Sequence, residues 1–157
     1  MTAALPETAR VWIYQADRPF NPEETPAVRQ KIKRFADEWV SHNRQLQAEA
    51  ELYHDRFIVL IVDESHAGAS GCSIDSSVRF LRGLEAEYGV DLFDRMTFAY
   101  QQGSDVKTAG REQFAELYAS GAINDQTPVF DNLVNNLGDF RHQWVKPLGE
   151  SWHKRMV

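Results

Sequence analysis

Two carboxylates close an uninterrupted apolar run, where Phe57-Ile58-Val59-Leu60-Ile61-Val62 leads into Asp63-Glu64. A strand end that presents such a pair can perform acid–base or metal-assisted work. A few residues on, Ala69-Ser70-Gly71-Cys72-Ser73-Ile74-Asp75 combines the only cysteine with small residues ahead of an amphipathic segment. Small residues let the backbone turn tightly with N–H groups outward, and the helix that follows adds the positive end of its dipole. Ser70, Gly71, Ser73 and Asp75 are therefore candidate binding residues for an anion such as phosphate or carboxylate, the alternative being that Ser73 or Asp75 simply caps the helix. Cys72, near that helix N-terminus, is a candidate nucleophile. Its activating base would come from His54, His66, His142 or His153, and no local spacing selects one; a small residue packed beside a strand end is the competing reading. Asp63, Glu64, His66 and Cys72 lack a compact metal-ligand spacing, so neither metal nor cofactor is expected.

Leu60-Ile61-Val62-Asp63-Glu64-Ser65-His66 also has the form of a Walker B element, in which the Asp reaches magnesium and the Glu the attacking water. That chemistry needs a glycine-rich loop with a lysine to cradle the phosphates, usually earlier in the chain. The first glycine is Gly68, and Gly103-Ser104-Asp105-Val106-Lys107-Thr108 has neither the spacing nor the second glycine of such a loop. P-loop nucleotide hydrolysis is excluded.

These residues must be positioned by the elements around them. Arg10 to Gln15 reads as a short strand. Thr25 reads as an N-cap with Pro26 at the first helical position, and Val28, Ile32, Phe35, Ala36, Trp39 and Val40 repeat at helical spacing to about Ser41. Leu46 to Tyr53 alternates apolar and polar, as a strand with one buried face does. After a turn at His54 and Asp55, Phe57 to Val62 does not alternate and predicts a central strand covered on both faces. Ile74, Val78, Leu81, Leu84 and Tyr88 mark a second helix that Gly89 ends, and Phe98 to Tyr100 begins another strand.

The order strand, helix, strand, strand, helix, strand predicts an α+β class with a ferredoxin-like βαββαβ core over residues 1–101. Residues 102–157 form a small α/β extension packed on it. The first and third strands are expected side by side and parallel, which would bring Asp17 and Arg18 to the same sheet end as Asp63 and the Gly71–Ser73 turn. Arg18 would there clamp an anion or pair with Asp63. The C-terminal part, or a second subunit in a homo-oligomer, must cover the open face of the sheet. Trp144, Trp152 and His153 would anchor that tail or form a binding surface.

Bulk properties narrow the partners. A net charge of −6 and a pI near 5.3 weigh against nucleic acid, and the basic cluster Arg29, Lys31, Lys33, Arg34 lies among Glu23, Glu24, Asp37 and Glu38 as a solvated mixed-charge face. No apolar run is long enough to span a bilayer, and Met1 to Pro6 lacks the pattern of a leader. With a single cysteine as well, the expectation is a cytoplasmic protein.

Taken together, Val11-Trp12-x-Tyr14-Gln15-Ala16-Asp17-Arg18-Pro19-Phe20, the Ala69–Ser77 stretch, Asp91-Leu92-Phe93-Asp94-Arg95, Val129-Phe130-Asp131-Asn132-Leu133-Val134 and Ser151-Trp152-His153 resemble a small uncharacterised bacterial family whose members carry the label "ABC transporter ATPase". The Walker B-like strand accounts for that label. This chain has neither the phosphate loop nor the Leu-Ser-Gly-Gly-Gln signature, so the resemblance implies a family without implying hydrolysis. Separately, Phe114-x-x-Leu117-x-x-x-Gly121-x-Ile123-x-x-x-Thr127-x-Val129 resembles the helix and following strand of bacterial GYF-type adaptor modules, which implies an interaction unit. The expected function is a non-catalytic binding or interaction protein for a small anionic ligand or a protein partner, with Arg18, Asp63, Glu64 and the Ser70–Asp75 loop at the site. The alternative is an enzyme that uses Cys72 or the Asp63/Glu64 pair.

Overall fold

The computed structural model describes residues 5–65 and 67–157; the opening residues 1–4, read above for a leader, and the candidate base His66 lie outside them. The chain is α+β. The first strand, β1 (Arg10–Gln15), leads through a turn to α1 (Thr25–Glu38), with Pro26 in its first turn. The helix stops before the expected Ser41, because β2 (Val40–Ser41) and β3 (Arg44–Gln45) form a minimal hairpin. Its two turn residues, His42 and Asn43, have φ of 51° and 64°, the left-handed pair that a tight hairpin turn requires. Then come β4 (Gln47–Tyr53), β5 (Phe57–Asp63) and α2 (Gly71–Tyr88). Ser70 caps α2 by accepting from Ser73 N while Ser73 Oγ accepts from Ser70 N, and Gly89 ends it at φ 64°.

The central strand is β5, flanked by β1 and β4, so the expected neighbours are present. Their direction differs from the expectation: β1 and β5 are antiparallel, with Arg10 opposite Val62 and Gln15 opposite Phe57. The cause is local. A three-residue turn, His54 to Arg56, with His54 and Asp55 left-handed, reverses β5 against β4, while α1 returns the chain so that β1 and β4 run the same way. A strand between two parallel ones, antiparallel to one, is antiparallel to both.

The fourth expected strand does not complete this sheet. Strand β6 (Thr97–Gln102) pairs with β7 (Asp105–Gly110) in a second sheet, ordered β7-β6-β8-β9, with β8 (Pro128–Phe130) and β9 (Val145–Pro147). The division expected after residue 101 thus falls inside β6. Helix α3 (Arg111–Ser120), ended by Gly121 at φ 83°, packs on this sheet, and α4 (Leu137–Gln143) reaches back to β1. The chain finishes in two 3₁₀ turns, Leu148–Glu150 and Trp152–Met156.

Residues Phe57 to Val62 are fully buried, and the two faces of β5 meet different partners. Ile58, Leu60 and Val62 pack with Val28 and Ile32 of α1 and Leu81 and Leu84 of α2. Phe57, Val59 and Ile61 pack with Ala99, Phe130, Leu137, Phe140 and Trp144. The C-terminal third therefore supplies the cover that the non-alternating strand demanded. Arg56 stitches the layers: buried, it donates from Nε and Nη2 to Ala16 O beyond β1 and from Nη1 to Val106 O in β7.

Candidate functional site

With β1 reversed relative to β5, the sequence-predicted residues divide between two ends of the molecule. Arg18 lies at the Phe57 end, where it donates to both carboxylate oxygens of Glu24, at 3.0 and 3.4 Å, and at 2.6 Å to Tyr88 O, the last carbonyl of α2. Ser70, Gly71, Cys72, Ser73 and Asp75 belong to the opposite end of that 18-residue helix, a span of about 27 Å at helical rise. Arg18 therefore shares no pocket with them. Asp63 and Glu64 stay near the Ser70 turn, but their oxygens serve local structure. Asp63 accepts from the N–H and hydroxyl of Ser65, and Glu64 accepts from Ala69 N and lies 3.8 Å from Arg10. The hydroxyls of Ser70 and Ser73 bind each other's backbone, so the cap is satisfied within the chain. Asp75 is exposed.

Cys72 is exposed on the first turn of α2. Of its candidate bases, His54 lies at the far end of β5 against Phe57 and Phe130, His142 faces Glu7 from α4, and His153 is buried beside Ser151. Among the described residues no three His, Cys, Asp or Glu side chains gather as a metal site, and no helix is long and apolar enough to cross a membrane.

A partly enclosed, mainly apolar recess lies elsewhere, between the two sheets. A cavity of about 270 Å³ is walled by Leu92, Phe98, Ala99, Phe130, Trp152 and Met156, while Met96 and Leu133 at its lip are 51% and 63% exposed. Polar groups fix this wall. Gln15, at the end of β1, donates to Thr97 O and accepts from Asn132, whose own oxygen accepts from Trp144 Nε1. Asp94 accepts from Met96 N and Thr97 Oγ1, which shapes the turn into β6.

Behind the wall, Asp131 accepts from Lys146 Nζ at 2.9 Å, from Trp152 Nε1 at 2.8 Å and from Leu133 N at 3.0 Å. Burial pushes its carboxyl up, but these bonds and the Lys146 charge outweigh burial and hold it below the ordinary carboxylate value. His153 lines the cavity with its ring stacked on Trp152. Burial drives its pKa down to about 4, against a smaller opposing pull from Asp131, so the ring is neutral at pH 7. Ser151 Oγ accepts from His153 N and shares a hydrogen bond of 2.6 Å with His153 Nδ1. The arrangement orders the cavity wall; Ser151, itself buried, is a cap rather than a presented nucleophile.

Sequence reasoning missed this cavity. Its lining comes from residues 15, 92–99, 130–133 and 152–156, and no spacing links segments so far apart in the chain. The signal in the sequence is that Gln15, Asp91–Arg95, Val129–Val134 and Ser151–His153 each belong to a segment that carries the family resemblance, and residues of all four line the cavity. Comparison with protein-family models, with curated proteins and with solved structures found no match.

Proposed function

We propose that this chain is a cytoplasmic, non-catalytic binding protein whose ligand, a small and largely apolar molecule, seats in the cavity between the two sheets. The observation that carries this reading is the cavity itself: about 270 Å³ of mainly apolar wall, with Met96 and Leu133 exposed at its lip. Exposed apolar side chains beside an apolar recess are what a site for an apolar guest presents to water. The anion-receptive Ser70–Asp75 loop of the sequence reading has its hydroxyls engaged in the cap and carries less weight. The test is titration of isotopically labelled protein with indole, benzene and cyclohexanol. Saturable shifts confined to Met96, Ala99, Leu133 and Trp152 are expected, and Leu133→Trp, which narrows the lip at an exposed position, should weaken them. Absence of saturable binding by all three probes would reject the reading.

A second reading follows the adaptor-like pattern: α3, Gly121 and β8 stand in the order the GYF resemblance implies, and the same exposed lip would then accept an apolar side chain of a protein partner.

A further inference from the structure

Resting on the cavity reading, we infer that the ligand is a monocarboxylic acid, its apolar body inside the cavity and its carboxylate against Arg95 at the lip. Nearly every polar group in the lining is occupied by the protein itself. Gln15 and Asn132 bind each other and their neighbours, Asp94 is held by Met96 N and Thr97, Trp152 by Asp131, and His153 by Ser151. These bonds hold the amides, the carboxylate, the indole and one ring nitrogen of His153 within the protein.

Arg95 is the exception. Its Nη1 donates to Ile13 O at 3.4 Å, the long end for such a bond, and its guanidinium stands 5.8 Å from the Tyr14 ring centre. Among the described residues it makes no salt bridge. It is also the only cationic side chain that lines the cavity among the described residues. The neighbouring carboxylate, Asp94, is turned into its own loop and leaves the guanidinium fork without an anion. A planar fork of donors at the lip of an apolar recess matches a carboxylate, which it can take with two parallel bonds.

The volume sets the size of the body. A dry cavity of about 150 Å³ accommodates benzene, so 270 Å³ admits a chain of about eight carbons or a fused bicycle. A straight-chain or aromatic acid of that size places its head at the exposed guanidinium and its tail beside Phe98, Phe130 and Trp152.

Octanoate and 1-octanol, matched in chain and different in charge, test this by calorimetric titration of the whole protein. Octanoate should bind at least tenfold tighter than octanol, Arg95→Met should remove that difference without weakening octanol, and Leu133→Trp, which narrows the lip, should weaken both. Arg95 and Leu133 are exposed, so both variants are expected to fold; their thermal unfolding checks it. Equal binding of the two probes, unchanged in Arg95→Met, would overturn the acid inference and leave the cavity reading intact. Octanoate binding that Arg95→Met abolishes but Leu133→Trp spares would place the acid outside the cavity and also overturn it. Binding by neither probe, together with no shift from indole, benzene or cyclohexanol, would remove the cavity reading and the inference with it.

Discussion

At the scale of single residues, His153 is the most consequential side chain that does not touch solvent. Its folded pKa of about 4 lies below the ordinary 6.5, so the unfolded chain takes up a proton that the folded chain refuses. Stability is then undiminished above pH 6.5, falls as the pH drops toward 4, and by pH 4 has lost about 3 kcal/mol through this group. The carboxylates held low by their partners, Glu24, Asp94, Asp125 and Asp131, act in a different window. Their contributions persist above ordinary values of 4.5 for Glu24 and 3.8 for the aspartates, and are lost only below them. Urea titrations at half-unit steps from pH 7.5 to 4.5 should show this slope in the native protein. His153→Phe, which keeps an aromatic ring in place, should flatten it whatever its stability at pH 7.

At the scale of elements, polar ties join the two sheets: Gln15 of β1 donates to Thr97 O of β6, and Arg56 reaches Ala16 O beyond β1 and Val106 O in β7. Burial lowers its pKa, and the charge of Asp17 partly restores it. Arg56→Met keeps the volume but leaves the carbonyls of Ala16 and Val106 without these donors. We expect a loss of about 1–3 kcal/mol, with amide exchange faster in the β6–β7 hairpin than in β5. Exchange that rises equally throughout would show that Arg56 does not couple the sheets in this way. Much of the architecture is legible in sequence: β1, the buried β5, and the glycines that end α2 and α3 all follow from spacing and backbone freedom. Strand direction is not, because a run such as Phe57 to Val62 records burial and carries no arrow. It follows from connection lengths, and the reversal at His54–Asp55 uses left-handed residues other than glycine, as does His42–Asn43. The candidate corner of Arg18, Asp63 and Ser70 depended on that direction. The cavity depends instead on how distant segments pack, which no local pattern encodes.

At the scale of the whole molecule, β5 is a shared wall: one face closes the helical layer and the other closes the layer built from the last third of the chain. Truncation after Gln126 would remove Phe130, Leu137, Phe140 and Trp144 from the face of Phe57, Val59 and Ile61. The shortened protein should bind a dye that fluoresces on apolar surfaces and should aggregate on concentration, while far-ultraviolet dichroism retains the signal of α1 and α2. A soluble fragment that ignores the dye would show that the helical layer is self-sufficient. The shared wall also bears on the order of synthesis. As the chain leaves the ribosome, β1, β4 and β5 can pair long before Phe130 and Trp144 emerge, and through that interval one side of the nascent sheet is a sticky surface awaiting its lid. The cavity is completed later still, by Trp152, His153 and Met156. The recess, whose lining runs from Gln15 to Met156, is thus among the last features of the fold to be assembled.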